Sequence, residues 1–128
     1  MPISSVNVGE DLTVISRSTT VYSTGLIDGR GRGLSWKSET VTNTAGEGGS
    51  HGGMGNTLEQ KWGESFGYGW YKIPTTLGSG GGGNSAGRGG GILKMITDEL
   101  QVDGTVSCAG EESTGGSSGS GSGGSIQL

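Results

Sequence analysis

Apolar positions fall in short alternating runs separated by long stretches of glycine and serine. Ile3, Val6 and Val8 open the chain, Leu12 and Val14 follow, and Val21 to Ile27 continues the pattern. After a polar interval, strand-like material resumes from Ile92 to Val106 and again at Ser125-Ile126-Gln127-Leu128. Each run is rich in Val, Ile and Thr and is bounded by Gly, Ser, Asn or Asp, which is how strands are punctuated; no window sustains an apolar stripe at the helical period of 3.6. The best helical candidate, 92–100, spaces Ile92, Met95, Ile96 and Glu99 tolerably but runs straight into Leu100-x-Val102-x-Gly104-x-Val106, so it reads as strand. The expectation is an all-β chain.

A weak internal repeat extends this reading. Leu100-x-Val102-x-Gly104-x-Val106-x-x-x-Gly110 aligns with Val21-x-Ser23-x-Gly25-x-Ile27-x-x-x-Gly31, and in each copy the alternation turns at a glycine, resumes with a β-branched residue and enters a glycine-rich loop. Repetition of one strand–turn–strand unit predicts a parallel β-solenoid, or β-helix, in which each coil buries its face only against its neighbours. Coils stacked about 4.7–4.9 Å apart need corners with positive φ or no Cβ. Gly80 to Gly83, Gly89 to Gly91 and Gly115 to Gly124 are the candidate corners or close-packed backbone layers, and Gly25 and Gly104 are expected to hold equivalent turns or close backbone contacts. Collagen is excluded because glycine does not recur at every third residue; a bundle of polyproline-II segments packed through glycine faces is the alternative for 46–55 and 78–91.

Composition sharpens the problem. Only 28% of residues are hydrophobic and 5% aromatic, while glycine occupies 31 of 128 positions, against about 45–50% apolar in an ordinary globular chain. Ordering so much glycine costs unusual backbone entropy, which backbone hydrogen bonding must offset as much as side-chain burial does. The whole chain, 1–128, is expected to form one such module. The net charge of −4 and three tryptophans argue against wholesale disorder. Eight basic residues with no basic run give no reason to expect nucleic acid as a partner. No run of about 18 apolar residues predicts a membrane span. Met1-Pro2-Ile3 has neither the charged nor the apolar region of a secretion signal, so an extracellular placement expects a larger or processed product. The single cysteine, Cys108, has no internal disulfide partner and reads as a small half-buried residue.

The ordered series Gly25-x-Ile27-Asp28-Gly29-Arg30-Gly31, Gly48-Gly49-Ser50-His51-Gly52-Gly53-Met54-Gly55, Tyr68-Gly69, Pro74 to Gly82, Gly89-Gly90-Gly91-Ile92-Leu93-Lys94, Leu100 to Gly110 and Gly121-Ser122-Gly123-Gly124-Ser125-Ile126 resembles the glycine-rich β-solenoid repeat of very large secreted and cell-surface proteins. The resemblance runs from about Leu12 onward and implies an extracellular, structural or adhesive module without catalytic residues. Two inserts depart from it, Leu34 to Thr44 and Asn56 to Phe66, which carry Trp36, Lys37, Leu58, Lys61, Trp62 and Phe66 where the repeat expects glycine.

Candidate chemistry is sparse. Ser50-His51 nominally begins a triad, but serine is abundant here and a triad is recognised by geometry. His51, the only histidine, reads as an imidazole held against backbone, and nothing around Cys108 marks a thiol–histidine pair. Strings of the form GxGxxG arise from composition alone, and no phosphate-binding G-x-x-x-x-G-K-[ST] exists. Asp98-Glu99, Asp103 and Glu111-Glu112 lie beside glycine turns and read as solvated carboxylates; a weak structural Ca²⁺ site is the alternative, although no EF-hand or nonapeptide pattern is present. No other cofactor is expected, nor an enzyme. The cluster Trp62, Phe66, Tyr68, Trp70 and Tyr71 is either the main core or a face for stacking on sugars or seating a partner.

These observations predict a structural, self-associating extracellular or cell-surface module, such as part of a filament, a sheath or an adhesin stalk. The rival is a carbohydrate- or protein-binding module built on the Trp62 to Tyr71 face; a β-helical polysaccharide enzyme would need a ladder of charged residues that is not visible. Self-association is expected at the ends. Ile3, Val6 and Val8 read as a strand without a preceding coil, and Ser125 to Leu128 as a strand whose backbone seeks partners, so the C-terminal strand of one chain is expected to pair against the N-terminal strand of the next.

Overall fold

The computed structural model describes residues 1–35, 46–51 and 73–128. They form an all-β arrangement of β1 (Pro2–Asn7), β2 (Asp11–Asp28), β3 (Ile92–Val102), β4 (Thr105–Ser107) and β5 (Ser125–Gln127). All are in one sheet of order β1-β2-β3-β5, with β4 also on β2, and every pair is parallel. Among the described residues there is no helix, and so none long and apolar enough to cross a membrane.

The first connection shows how the sheet curls. Parallel neighbours normally need a crossover of a dozen residues or more, yet only Val8, Gly9 and Glu10 separate β1 from β2. The register resolves this, because Ile3 pairs with Val21 and Val6 with Ile27. The first half of β2 is itself the crossover, carrying the chain round so that its second half lies beside β1. A bend is visible in the burial alternation. Leu12, Val14 and Ser16 face inward, and then the phase shifts to Thr19 and Val21. Hydroxyls fill the bend: Ser16 Oγ donates to the Ser18 carbonyl (3.2 Å), its pair partner Thr97 donates to the Glu99 carbonyl (2.8 Å), and Ser16 shares a 2.5 Å hydrogen bond with the fully buried Thr19.

Inward residues stack in columns. Leu12 lies beside Leu93 and Leu93 beside Ile126; Val14 beside Met95; Ile3 beside Val21 and Val21 beside Val102; Val6 beside Ile27 and Ile27 beside Val106. The core formed by Ile3, Val8, Val21, Ile27, Leu93, Met95 and Cys108 is small. Glycines flanking the strands are joined in a seam, where Gly91 donates to the Gly29 carbonyl (2.9 Å) and Gly124 to the Cys108 carbonyl (2.7 Å).

The repeat alignment is corrected in part. Ile27 does pair with Val106 and Leu26 with Thr105, but Val21 pairs with Val102, while Leu100 pairs with Thr19. The slip arises because the same corner is spanned by Ser4 in the first layer, by Tyr22 to Gly25 in the second and by Asp103-Gly104 in the third. Gly25 and Gly104 serve close approach rather than positive φ. A Cβ on Gly104 would overlap the Tyr22 and Gly25 carbonyl oxygens, and one on Gly25 would lie 2.7 Å from the Ile3 carbonyl oxygen. Among the described residues positive φ occurs at Gly31, Gly46 and Gly83. Of the tracts expected to be corners or close-packed backbone layers, 80–83 contains such a residue, while 89–91 and 115–124 contain none and are close-packed, with backbone where a Cβ on Gly89, Gly90, Gly119, Gly121 or Gly124 would lie.

Outside the strands, the glycine tracts bind one another laterally, and their partners recur every third residue. Gly87 and Gly90 donate to Gly119 and Ser122; Gly119 and Ser122 donate to Gly82 and Ser79; Gly121 and Gly124 donate to Glu111 and Cys108; Gly78 and Gly81 donate to Gly90 and Gly87. Segment 87–91 also exchanges hydrogen bonds with Leu34, Gly29 and Gly33, so it has neighbours on more sides than the two edges of a strand. Such proximity excludes side chains. A Cβ on Gly119 would overlap the Glu47 carbonyl, one on Gly90 that of Cys108, and one on Gly87 that of Glu111. Serine appears where the layer admits a small polar side chain: the buried Ser79 hydroxyl accepts from the Ser50 amide (2.7 Å) and donates to its carbonyl (2.7 Å).

Gly119→Ala and Gly104→Val are therefore expected to cost well over the ~1 kcal/mol of an ordinary glycine replacement. Gly116→Ala, whose Cβ meets nothing within 4 Å, should be neutral or gain up to about 1 kcal/mol by restricting the unfolded chain. Chemical denaturation separates these outcomes; a Gly104→Val variant as stable as the parent would contradict the register.

Candidate functional site

Among the described residues no strand covers the inner columns at either end of the sheet. β1 pairs only with 20–28 of β2, so among the described residues no strand lies on that side of 11–18. An apolar cavity of about 320 Å³ opens there, lined by Pro2, Ile3, Val6, Leu12, Val14 and Ile27. At the other end β5 pairs only with Ile92 to Lys94, leaving 95–102 and β4 without a strand on their far side among the described residues. Val102 (42%), Ile126 (37%) and Leu128 (72%) are exposed there. Val102 and Ile126 occupy the last places of the Ile3–Val21 and Leu12–Leu93 columns among the described residues, so their exposure is that of a column end.

The residues expected to serve assembly divide accordingly. Ile3 and Val8 are buried in the chain's own core and Val6 packs against it. The expectation that the backbone of Ser125 to Leu128 seeks partners is corrected on one side, because Ser125, Ile126 and Gln127 already pair with β3. Gly124 leads directly into β5, which is held by β3 of its own sheet; among the described residues no strand lies on its outer edge.

His51 sits where three glycine-layer segments meet. Its Nδ1 lies 2.8 Å from the Gly123 carbonyl and its Nε2 2.8 Å from the Thr76 hydroxyl. A carbonyl only accepts, so Nδ1 carries the proton in the neutral ring and Nε2 accepts from Thr76. Ser125 Oγ donates to the Thr76 carbonyl (2.6 Å), which ties the same cluster to the start of β5. Both ring nitrogens thus have partners other than Ser50.

Cys108 is buried against Gly29, on which a Cβ would lie 3.0 Å from Sγ. Burial pushes its thiol up, the Asp28 carboxylate adds to the rise, and a backbone hydrogen bond at Leu93 acts in the opposite sense, so the thiolate is disfavoured. Glu111 and Glu112 line a groove of about 640 Å³ with Arg30, Arg88, Asn84 and Thr114, a feature that the sequence did not signal because 30, 84–88 and 111–114 are far apart along the chain. Arg88 Nη2 donates to the Gly33 carbonyl (3.0 Å) and its amide to Glu111 Oε2 (3.2 Å). Asp98, Glu99 and Asp103 are exposed along and just beyond β3, and Gln101 Nε2 donates to Asp103 Oδ2 (2.7 Å). Among the described residues no group of three or more His, Cys, Asp or Glu side chains is placed to hold a metal. Trp62, Phe66, Tyr68, Trp70 and Tyr71 lie outside the described residues.

His51→Ala should lower stability by about 1–3 kcal/mol, the worth of two hydrogen bonds made by a partly buried side chain, without altering surface interactions. An unchanged denaturation midpoint would contradict its role as a clamp. No family model, curated protein or solved structure matches the chain, so its function is read from this geometry.

Proposed function

We propose that the chain is a structural β-solenoid module that associates with itself through its open ends, as part of an extracellular or cell-surface filament, sheath or adhesin stalk. The observation that carries this reading is that among the described residues no strand follows the apolar columns at either end, beyond the half-buried Leu12 and Val14 on one side and the exposed Val102 and Ile126 on the other. Solenoids that remain single cover these ends with caps, and bare ends recruit further strands. The single circuit from β1 into β2 and the in-register columns support a coil. The three-residue recurrence of the glycine hydrogen bonds is the period of a polyproline-II helix, whose backbone groups all point outward to neighbours. In this reading a coil and a bundle of glycine segments share one seam, and the bundle stiffens the coil. Unlike ends in contact generate open filaments unless the rotation closes a ring. The extracellular setting rests on the resemblance of the glycine series to secreted repeats.

Sedimentation velocity and negative-stain microscopy test the proposal. The chain should form ordered polymers that grow with concentration, and Ile126→Pro combined with Leu128→Lys should leave monomers or disordered aggregates. An intact chain that stays monomeric at high concentration would overturn it.

A further inference from the structure

The bare ends form matching steps, and from them, resting on the self-association proposed above, we infer a specific joint between two copies of this chain. β5 of one copy docks in parallel against the bare edge of the next copy's β2 at Asp11–Thr13, while that copy's β1 docks on the first copy's Val102 and β4. Within one chain Leu12, Leu93 and Ile126 already share a column, as do Ile3, Val21 and Val102, and Val6, Ile27 and Val106. One translation by three strand spacings, roughly 14 Å, continues all of these columns at once. It sets Leu12 on Ile126, Ile3 on Val102 and Val6 on Val106.

The apolar cavity beside Leu12 and Val14 then receives Ile126 and Leu128, so the exposed apolar ends of both copies cover each other. β5 ends in the column of Thr13 and β1 begins in that of Thr20, so the terminal strands of adjoining copies lie end to end in one layer. The side-by-side pairing expected from sequence is replaced by this arrangement. A notch remains opposite Ile96 to Glu99.

Cysteine cross-linking reads the joint directly. Thr13 and Gln127 sit on the outer face in one column, with Lys94 between them. Within a chain they are two spacings apart, roughly 9.6 Å, beyond the ~4.4–6.8 Å Cα separation of a disulfide; across the joint they are adjacent. Thr13→Cys/Gln127→Cys, in a Cys108→Ala background, should give a ladder of oxidised multimers on a non-reducing gel. Ser5→Cys/Thr105→Cys, which are likewise separated by Leu26 within the chain, should give the same ladder, and the offset pair Thr13→Cys/Thr105→Cys should not. Polymers without the in-register ladders, or an equal ladder from the offset pair, would overturn this joint and leave self-association standing. Monomers at every concentration would overturn both.

Discussion

The rest of the structure depends on the distance of approach between backbones. With so few apolar side chains, the chain must make the peptide groups themselves the adhesive, and each backbone hydrogen bond nets only about 0.5–1.5 kcal/mol. That is enough only if many form together, and many form together only where no Cβ intervenes. Glycine at 87, 90, 119 and 121 meets the condition at the cost of backbone entropy. A side chain added at such a point removes contacts on several sides, because segment 87–91 is bonded to several neighbours.

The sheet and the glycine layer support each other at the seam. Gly29, Gly91 and Gly124 flank the strand ends and join the two, and the buried Cys108 and Val8 lie against Gly29. Among the described residues the columns stop at Ile126 and Val102, which are still exposed. In the assembly proposed here self-association follows from how the core is built, since the next copy would offer the same columns in the same order.

Strand content was legible in the sequence because period-two alternation survives at Ile3, Val21, Ile92 and Ile126, and the pairing of Ile27 with Val106 followed from their shared place after a glycine. The bend at Ser16 to Thr19 was not legible, since its signal is a set of hydroxyls that elsewhere in this chain only mark loops. The two-residue slip at Val21 was hidden for a related reason: loops of different length can span one corner, and only the pairing shows which residues are extra. The roles of Gly25 and Gly104 were open between turn and close contact because both demand glycine, and space rather than φ decides them. His51 was read as a residue held against backbone by its glycine neighbours, but its partners Gly123 and Thr76 are too distant in sequence to be foreseen.

Amide hydrogen exchange at Gly87, Gly90, Gly119 and Gly121 tests the central claim most directly, because these amides belong to no strand yet are all bonded to neighbouring segments. If lateral backbone hydrogen bonds hold the module together, they will exchange as slowly as the amides of β2 and β3 and open with them as one unit. Exchange at the rate of free loop amides, while β2 and β3 remain protected, would contradict the account.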